Sequence, residues 1–407
     1  MNILSIETSC DETAMTLMSI EGGIESPSIE IHKEIVASQV DVHKEFGGVV
    51  PMLAKREHLK NLPVLYRKIF GMTNNKCLMS NEEKKSITHN PPVSATTNPG
   101  KPPTIHEVDL IAVTVGPGLE PALWTGINVA QELSQQHNIP VVGVNHLHGH
   151  MYSFLLEQKT EKNKNQTNKI QKNNDLYLGD CVLEFPAVVL LVSGGHTMLV
   201  LMKSMTEYEK LGETRDDAVG ECFDKVARML GFEYPGGPEI SQHALKGNAD
   251  AIEFPSPMIH EDNYDFSYSG LKTSVLYYLR NWVVKEKGVP PESELLNSDM
   301  LAQSLPDVLK NDVAASFQEA AIRPLVHKTA KAIREHGARS VILGGGVAAN
   351  KRLREVLTQA VTQEGAQVSM PPLTYCMDNA TMIGIAGYVT HHQKWRLPLE
   401  ANGNLDV

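Results

Sequence analysis

Two histidines one helical turn apart stand in the run His146-Leu147-His148-Gly149-His150. A strand-like stretch, Ile139 to Val144, precedes them, and Asn145 is a good N-cap for a helix that starts there. On that helix His146 and His150 share a face, while His148 points roughly the opposite way. Two neutral imidazoles at this spacing offer half a site for a divalent metal such as Fe(II), Zn(II) or Mn(II). A peptidase of the HExxH type needs a glutamate after its first histidine as general base, and Leu147 stands there instead. A third ligand is required, and Asp378, in Tyr375-Cys376-Met377-Asp378-Asn379, is one candidate. It follows the pair Pro371-Pro372 and precedes the apolar run Ala380 to Val389, so position alone favours a helix cap over a ligand.

Acids elsewhere could move protons or meet a polar ligand. Asp11 and Glu12 lie in the polar stretch Glu7 to Glu12 between two strand signals, where they suit a base, an ammonium partner or a solvated turn. The spacing predicts a helix from Asp216 to Leu230, with Val219, Cys222, Phe223, Val226 and Leu230 on its apolar face and Gly231 at its end. Asp217, Glu221, Asp224 and Arg228 line its other face. The rigid turn Tyr234-Pro235-Gly236-Gly237-Pro238 follows, so that Asp224 is placed to contact a ribose or an amino group beside it.

The elements that must position these groups come in a repeated order. Residues 3–18 read as strand, polar loop, strand, and residues 187–202 as strand, the turn Ser193-Gly194-Gly195-His196, and strand. Each hairpin is followed by a strand, a glycine loop and a helix, built on Gly116-Pro117-Gly118 in the first half and on Gly344-Gly345-Gly346 in the second. This order predicts a duplicated α/β fold of two lobes with a nucleotide cleft between them. Glycine loops that open helices present backbone N–H groups and a helix dipole to an anion. A dinucleotide fingerprint is disfavoured because the glycine after Gly118 is Gly126, and no Walker A motif is present.

Composition narrows the class. The chain has 407 residues, 42% hydrophobic and 21% charged, enough for roughly two to three domains. Two polar stretches, residues 72–104 and 157–175, read as loop insertions. The net charge of -11 argues against a generic basic nucleic-acid binder. Five widely spaced cysteines without a CxxC pair suit a reducing compartment. The longest apolar run, Ala187 to Val192, is far too short to span a membrane, and the first residues read as a strand rather than a targeting segment. A soluble, cytoplasmic protein is expected.

An ordered set of motifs carries a resemblance. Ile6-Glu7-Thr8-Ser9-Cys10-Asp11-Glu12-Thr13, Gly47-Gly48-Val49-Val50-Pro51, Gly116-Pro117-Gly118, His146-x-x-x-His150, Leu191-Val192-Ser193-Gly194-Gly195-His196-Thr197, Phe223-Asp224-Lys225, Pro235-Gly236-Gly237-Pro238, Phe266 to Thr273, Gly344 to Asn350 and Asp378-Asn379 resemble the TsaD family of tRNA threonylcarbamoyl transferases. The resemblance implies an actin/Hsp70-like fold and lobes over residues 1–135 and 136–387, the second with the nucleotide and metal site, followed by a tail over 388–407. It implies transfer of threonylcarbamoyl from threonylcarbamoyl-AMP to N6 of adenosine 37 in tRNAs reading ANN codons, with release of AMP. By motif match His146, His150 and Asp378 become ligands of one divalent metal, iron or else zinc. Leu191, Val192, Ser193, Gly194, Gly195, Asp224, Gly237 and Asn350 become adenylate-binding positions. Asp11 or Glu12 is then the candidate to take the amine proton.

The implied partners are tRNA, a TsaB-like inactive paralogue, a TsaE-like ATPase and, upstream, a TsaC-like adenylate synthase. The competing readings are a nucleotide-dependent regulatory or chaperone-like ATPase of the same fold and, least favoured, a metalloprotease. His148 departs from the family pattern, and Pro324 predicts a kink within residues 312–335. A tRNA substrate also requires local positive charge on an acidic chain. The stretch Pro51 to Gly71 carries Lys55, Arg56, Lys60, Arg67 and Lys68 against Glu57, and residues 157–175 carry five lysines against Glu157, Glu161 and Asp175.

Overall fold

A computed structural model describes residues 1–72, 102–156, 183–393 and 396–407. The expected insertions fall almost wholly outside these described residues. The chain divides into two compact units, one from residues 1–43, 49–182 and 371–407 and one from residues 44–48 and 183–370.

The first unit begins with β1 (Asn2–Glu7), β2 (Glu12–Glu21) and β3 (Ser28–Ser38), an antiparallel meander. Helices α1 (Val40–His43) and α2 (Pro51–Ile69) follow, then β4 (Leu110–Gly116), α3 (Glu120–His137), β5 (Val141–Asn145) and the short α4 (His146–Tyr152). β4 pairs parallel to β1, and β5 parallel to β4, giving the order β3-β2-β1-β4-β5.

The second unit carries β6 (Ala187–Val192), β7 (Thr197–Ser204) and β8 (Glu207–Glu213). Five helices follow: α5 (Val219–Leu230), α6 (Gly236–Ala244), α7 (Ser269–Lys287), α8 (Ser298–Ser304) and α9 (Asp307–His336). The unit closes with β9 (Ser340–Gly344), α10 (Lys351–Gln363) and β10 (Gln367–Ser369). Its sheet runs β10-β9-β6-β7-β8, the first sheet's order with β6 in the place of β1 and β9 in that of β4. The duplication expected from the repeated hairpins is therefore present.

The chain then returns to the first unit as α11 (Ala380–His392). Strand side chains alternate between sheet faces. Leu4, Ile6, Met15, Leu17, Ile111 and Val113 share one core with Leu62 and Leu65 of α2 and Leu123 and Ile127 of α3. The other face takes α11, whose residues Ala380 to Thr390 are all buried. A Cβ on Gly387 would lie 2.4 Å from that of Ala112, so the missing side chain lets the helix sit directly on the strands.

The boundary expected at residue 135 is corrected by this pairing, and with it the expected place of the metal site in the second lobe, since residues 146–150 and 378 belong to the first unit. β5 belongs to the first sheet because Ile111 to Thr114 are in register with Val141 to Val144. The expected tail also packs there: Leu397 bridges Gly143, and Asn402 N donates to Val115 O at 2.8 Å. Helix α9 runs unbroken through Pro324. No described helix is long and apolar enough to cross a membrane.

Candidate active site

The side-chain amide of Asn145 sets where α4 begins: its Oδ1 accepts from Leu147 N at 2.8 Å, and its Nδ2 donates to Asp406 O at 2.7 Å. His146 and His150 then lie one turn apart with ring centroids 4.7 Å from each other and planes at 88°. Nε2 of His150 is 3.1 Å and Nε2 of His146 3.4 Å from the same oxygen, Oδ1 of Asp378. Asp378 does not cap α11. Asn379 does, accepting from Met382 N at 2.9 Å and donating to Met377 O at 2.8 Å, which leaves the aspartate carboxylate to the histidines. His148 lies apart from this group, buried against Tyr152, and burial pushes its imidazole down to about 4.

Glu7 stands behind His146. It is fully buried at the end of β1 and accepts from Ser9 N and Thr114 Oγ1, each at 2.5 Å, while its Oε2 is 3.2 Å from His146 Nδ1. Burial alone would raise the glutamate, but the His146 charge and hydrogen bond outweigh it and hold the group low. Burial likewise opposes charge on His146, yet Asp378 and Glu7 together raise it well above the usual imidazole range. For His150 burial prevails and its proton affinity is lowered; Nδ1 of that ring is buried without a hydrogen-bond partner.

Two imidazole nitrogens and a carboxylate oxygen within 4.8 Å of one another form a donor set that fits a divalent first-row metal. The Glu7 contact adds the carboxylate–histidine support that such ligands usually have. His146, His150 and Asp378 are the residues that would hold the ion.

Asp11 and Glu12 are 7% and 8% exposed, so the solvated-turn reading does not hold. They hydrogen-bond to each other, and burial, then Asp11 and then Asp378 raise Glu12 well above the usual carboxylate range. Helix α2 braces this loop through a residue the sequence did not single out. His58 Nε2 lies 3.0 Å from Cys10 O, which can only accept, so that nitrogen carries the proton. Its Nδ1 then accepts from Thr13 Oγ1 at 2.8 Å and Gln39 Nε2 at 3.2 Å. Gln39 N in turn donates to Asp11 O at 2.9 Å.

Gly116-Pro117-Gly118 is not an open anion cradle. Gly118 N donates to Gly403 O at 3.3 Å and Leu119 N to Ser9 O at 2.8 Å, so these donors are taken by the protein's own carbonyls.

The second unit collects the other predicted positions. Leu191 and Val192 are buried in β6, so only their backbone could meet a ligand. In the turn after them Ser193 N donates to His196 O at 2.8 Å, while a Cβ on Gly194 or Gly195 would meet nothing within 4 Å. Gly220 N, in the first turn of α5, donates to Ser193 O at 3.2 Å. Asp224 Oδ1 accepts from Gly236 N at 2.7 Å; Ser241 Oγ donates to Gly237 O at 3.0 Å; and Asn350, the N-cap of α10, donates to Ser241 Oγ at 3.1 Å. Asp224, the 236–237 turn and Asn350 are thus joined by successive hydrogen bonds.

Helix α5 begins at Val219 rather than Asp216. Asp216 and Asp217 are drawn into other work: Asp216 accepts from Tyr268 N at 2.7 Å and from the hydroxyls of Ser267 and Ser269, and Asp217 pairs with Lys225 and Lys272. These bonds tie the Phe266 to Thr273 motif to the start of α5. Glu7 was the other functional residue missed; a charged residue closing an otherwise apolar strand was the available signal.

A duplicated α/β protein of the actin/Hsp70-like class, with a His2Asp group in its first unit, is defined by the two matching sheets and the convergent side chains. The family described as "TsaD: tRNA N6-adenosine threonylcarbamoyltransferase" matches residues 30–77, 103–164 and 171–385, and the chain belongs to that family. The tRNA N6-adenosine threonylcarbamoyltransferase of Thermosipho melanesiensis is 39% identical over 407 residues, covering 100% of both chains. That of Bacillus subtilis is 39% identical over 404 residues, covering 99% of this chain and 94% of its own. Among solved structures, full-length HypF in the phosphate- and nucleotide-bound form is similar with a TM-score of 0.50 at 13% identity. The match covers 97% of this chain and 47% of that one, and it is a likeness of fold alone.

Proposed function

We propose that this protein transfers the threonylcarbamoyl group from threonylcarbamoyl-AMP to N6 of adenosine 37 in tRNAs reading ANN codons. The observation that carries the reading is the convergence of His146, His150 and Asp378 in a chain that matches transferases of this name along its whole length. A bound divalent ion, iron or else zinc, would supply a Lewis acid there. Glu7 holds the His146 ring so that its Nε2 faces Asp378. An exocyclic adenine amine is a weak nucleophile, so its attack needs a fixed acyl group and a proton acceptor.

The N6–carbon bond forms as the mixed-anhydride carbon–oxygen bond breaks. The amine proton passes to Glu12, whose raised proton affinity suits that task, and AMP leaves with the anhydride oxygen. Backbone N–H groups of Gly194 and Gly195 hold the phosphate in the turn that Ser193 closes, with Leu191 and Val192 contributing backbone only. Asp224, Gly237 and Asn350 hold the adenosine. Asp11 hydrogen-bonds to Glu12 and helps to keep the proton affinity of that carboxyl raised.

A cytoplasmic location follows from a tRNA substrate. A TsaC-like synthase would make the adenylate, and TsaB-like and TsaE-like partners would complete the cycle. The test is transfer of labelled threonylcarbamoyl from the supplied adenylate to unmodified tRNA, with and without those partners. Labelled tRNA is expected, and its absence under both conditions would overturn the reading. An ATPase or protease reading has no observation of its own in the chain.

A further inference from the structure

Glu34 is a charged residue that the proposed chemistry leaves unused, and it lies 8% exposed on β3. It stands opposite Thr16 of β2 in the sheet register, on the face that receives α11. Two hydroxyls from the Asp378 segment reach it. Thr381 Oγ1 donates to Glu34 Oε1 at 2.6 Å, and the Tyr375 hydroxyl forms a second hydrogen bond with the same carboxyl group. Tyr375 precedes Asp378 by three residues and Thr381 follows it by three. Thr381 spends its one proton on Glu34, so its 3.1 Å contact with Thr16 Oγ1 is a bond that Thr16 donates.

Between those anchors Cys376 is buried, and its Sγ donates to Pro372 O at 3.6 Å. Asn379 bonds only within it and to the first turn of α11, through Met377 O, Tyr375 O and Met382 N. Asp378 itself is side-chain bonded to the histidines. Its place relative to α4 is set by how the segment is tied to the sheet: the buried face of α11 holds its C-terminal side, and the carboxyl group of Glu34 ties Tyr375 and Thr381 on either side of it. A metal–ligand distance tolerates only about 0.2 Å of error.

We infer that Glu34 is a positioning residue for the metal centre: by binding both Tyr375 and Thr381 it holds the Asp378 carboxylate against His146 and His150. The inference rests on the metal reading given above. No ligand atom comes from Glu34. Its contribution is to the pre-organisation of the site, as for other residues behind metal ligands.

The test measures Zn(II) affinity by competition with a chromophoric chelator, alongside melting temperature and circular dichroism, for the full chain and its variants. Glu34→Ala is expected to weaken Zn(II) binding by about 10–100-fold. Glu34→Gln, which keeps one carbonyl acceptor, is expected to recover more than half of that loss on a logarithmic scale. A purely structural role would lower the melting temperature and leave the affinity of the folded protein unchanged. Wild-type affinity in folded Glu34→Ala would overturn the inference. Should that variant not fold, Tyr375→Phe combined with Thr381→Val removes both bonds and leaves Glu34 in place; wild-type affinity there is equally decisive against it. His150→Ala separates the two readings. If it loses Zn(II) while Glu34→Ala keeps it, only the Glu34 inference falls, and if His150→Ala binds like wild type, the metal reading falls as well.

Discussion

Oε2 of Glu7 lies 3.2 Å from Nδ1 of His146, and the ring's other nitrogen faces Asp378. One carboxylate thus fixes the orientation of a ring whose far side belongs to the candidate metal centre. Glu7→Ala would leave Ser9 N and Thr114 Oγ1 without their partner and His146 Nδ1 with the Ser9 hydroxyl at 3.3 Å in place of a carboxylate. A loss of about 3–5 kcal/mol of stability is expected, the usual cost of breaking a buried charged pair. Chemical denaturation of the metal-free protein checks it, and an unchanged midpoint would contradict the account.

His58 predicts a pH dependence. Burial lowers its imidazole to about 4, against about 6.5 in the unfolded chain, so the unfolded state binds the extra proton first. Stability contributed by neutral His58 is fully present above pH 6.5 and is lost as pH falls towards 4, with a total of about 3 kcal/mol. Denaturant midpoints for wild type and His58→Gln should converge across that interval. Parallel curves would show that His58 does not titrate as described.

The acid pair of the β1–β2 loop makes a kinetic prediction. Glu12→Gln removes the proton acceptor and should slow single-turnover transfer by about 10²–10⁴-fold. Asp11→Asn should slow it less and shift the pH profile, because the two side chains are hydrogen-bonded. Wild-type single-turnover rates in both variants would rule the pair out.

Glycines of the second unit divide into two kinds. Gly194→Ala and Gly195→Ala add a Cβ into open space, so the fold should survive while binding of AMP weakens. Gly345 has φ +93° and a Cβ there would lie 2.4 Å from Val192 O. Gly345→Ala is therefore expected to cost about 1–3 kcal/mol of stability. Calorimetry of AMP binding beside thermal melts separates the two classes, and equal melting losses in all three would refute the division.

An acidic chain that acts on tRNA should bind it weakly alone and with strong salt dependence. Glu57 pairs with Lys60 at 2.7 Å and Arg56 at 3.5 Å, which reduces the positive charge that α2 presents. Affinity for unmodified tRNA is expected to fall roughly tenfold or more between 50 and 200 mM salt. Tight, salt-insensitive binding would contradict this.

Much of this was legible in the sequence. The duplicated hairpins, the cap at Asn145 and the i,i+4 histidines follow from local periodicity and side-chain type, and the structure reproduces them. What was illegible depends on pairing across long separations. Asp378 looked like a cap because its contact with His150, 228 residues earlier in the chain, leaves no local trace, while its neighbour Asn379 takes the cap. The boundary at 135 failed because strand order within a sheet is not written in the strands. Asp216 looked like the start of a helix, yet its bonds to residues 267–269 hold it outside α5, which begins only at Val219. Glu7, Glu34 and His58 are buried polar groups with partners as far as 139, 347 and 48 residues away respectively, beyond any local pattern.

The second unit occupies the chain between the histidines of α4 and Asp378. During synthesis both imidazoles are made early, and residues 183–370 must all be translated before the third donor exists. A growing chain is consequently a two-ligand species for much of its time on the ribosome. The three-donor set proposed for the ion is therefore complete only once residue 378 has been made, and a chain arrested before it offers two of the three donors.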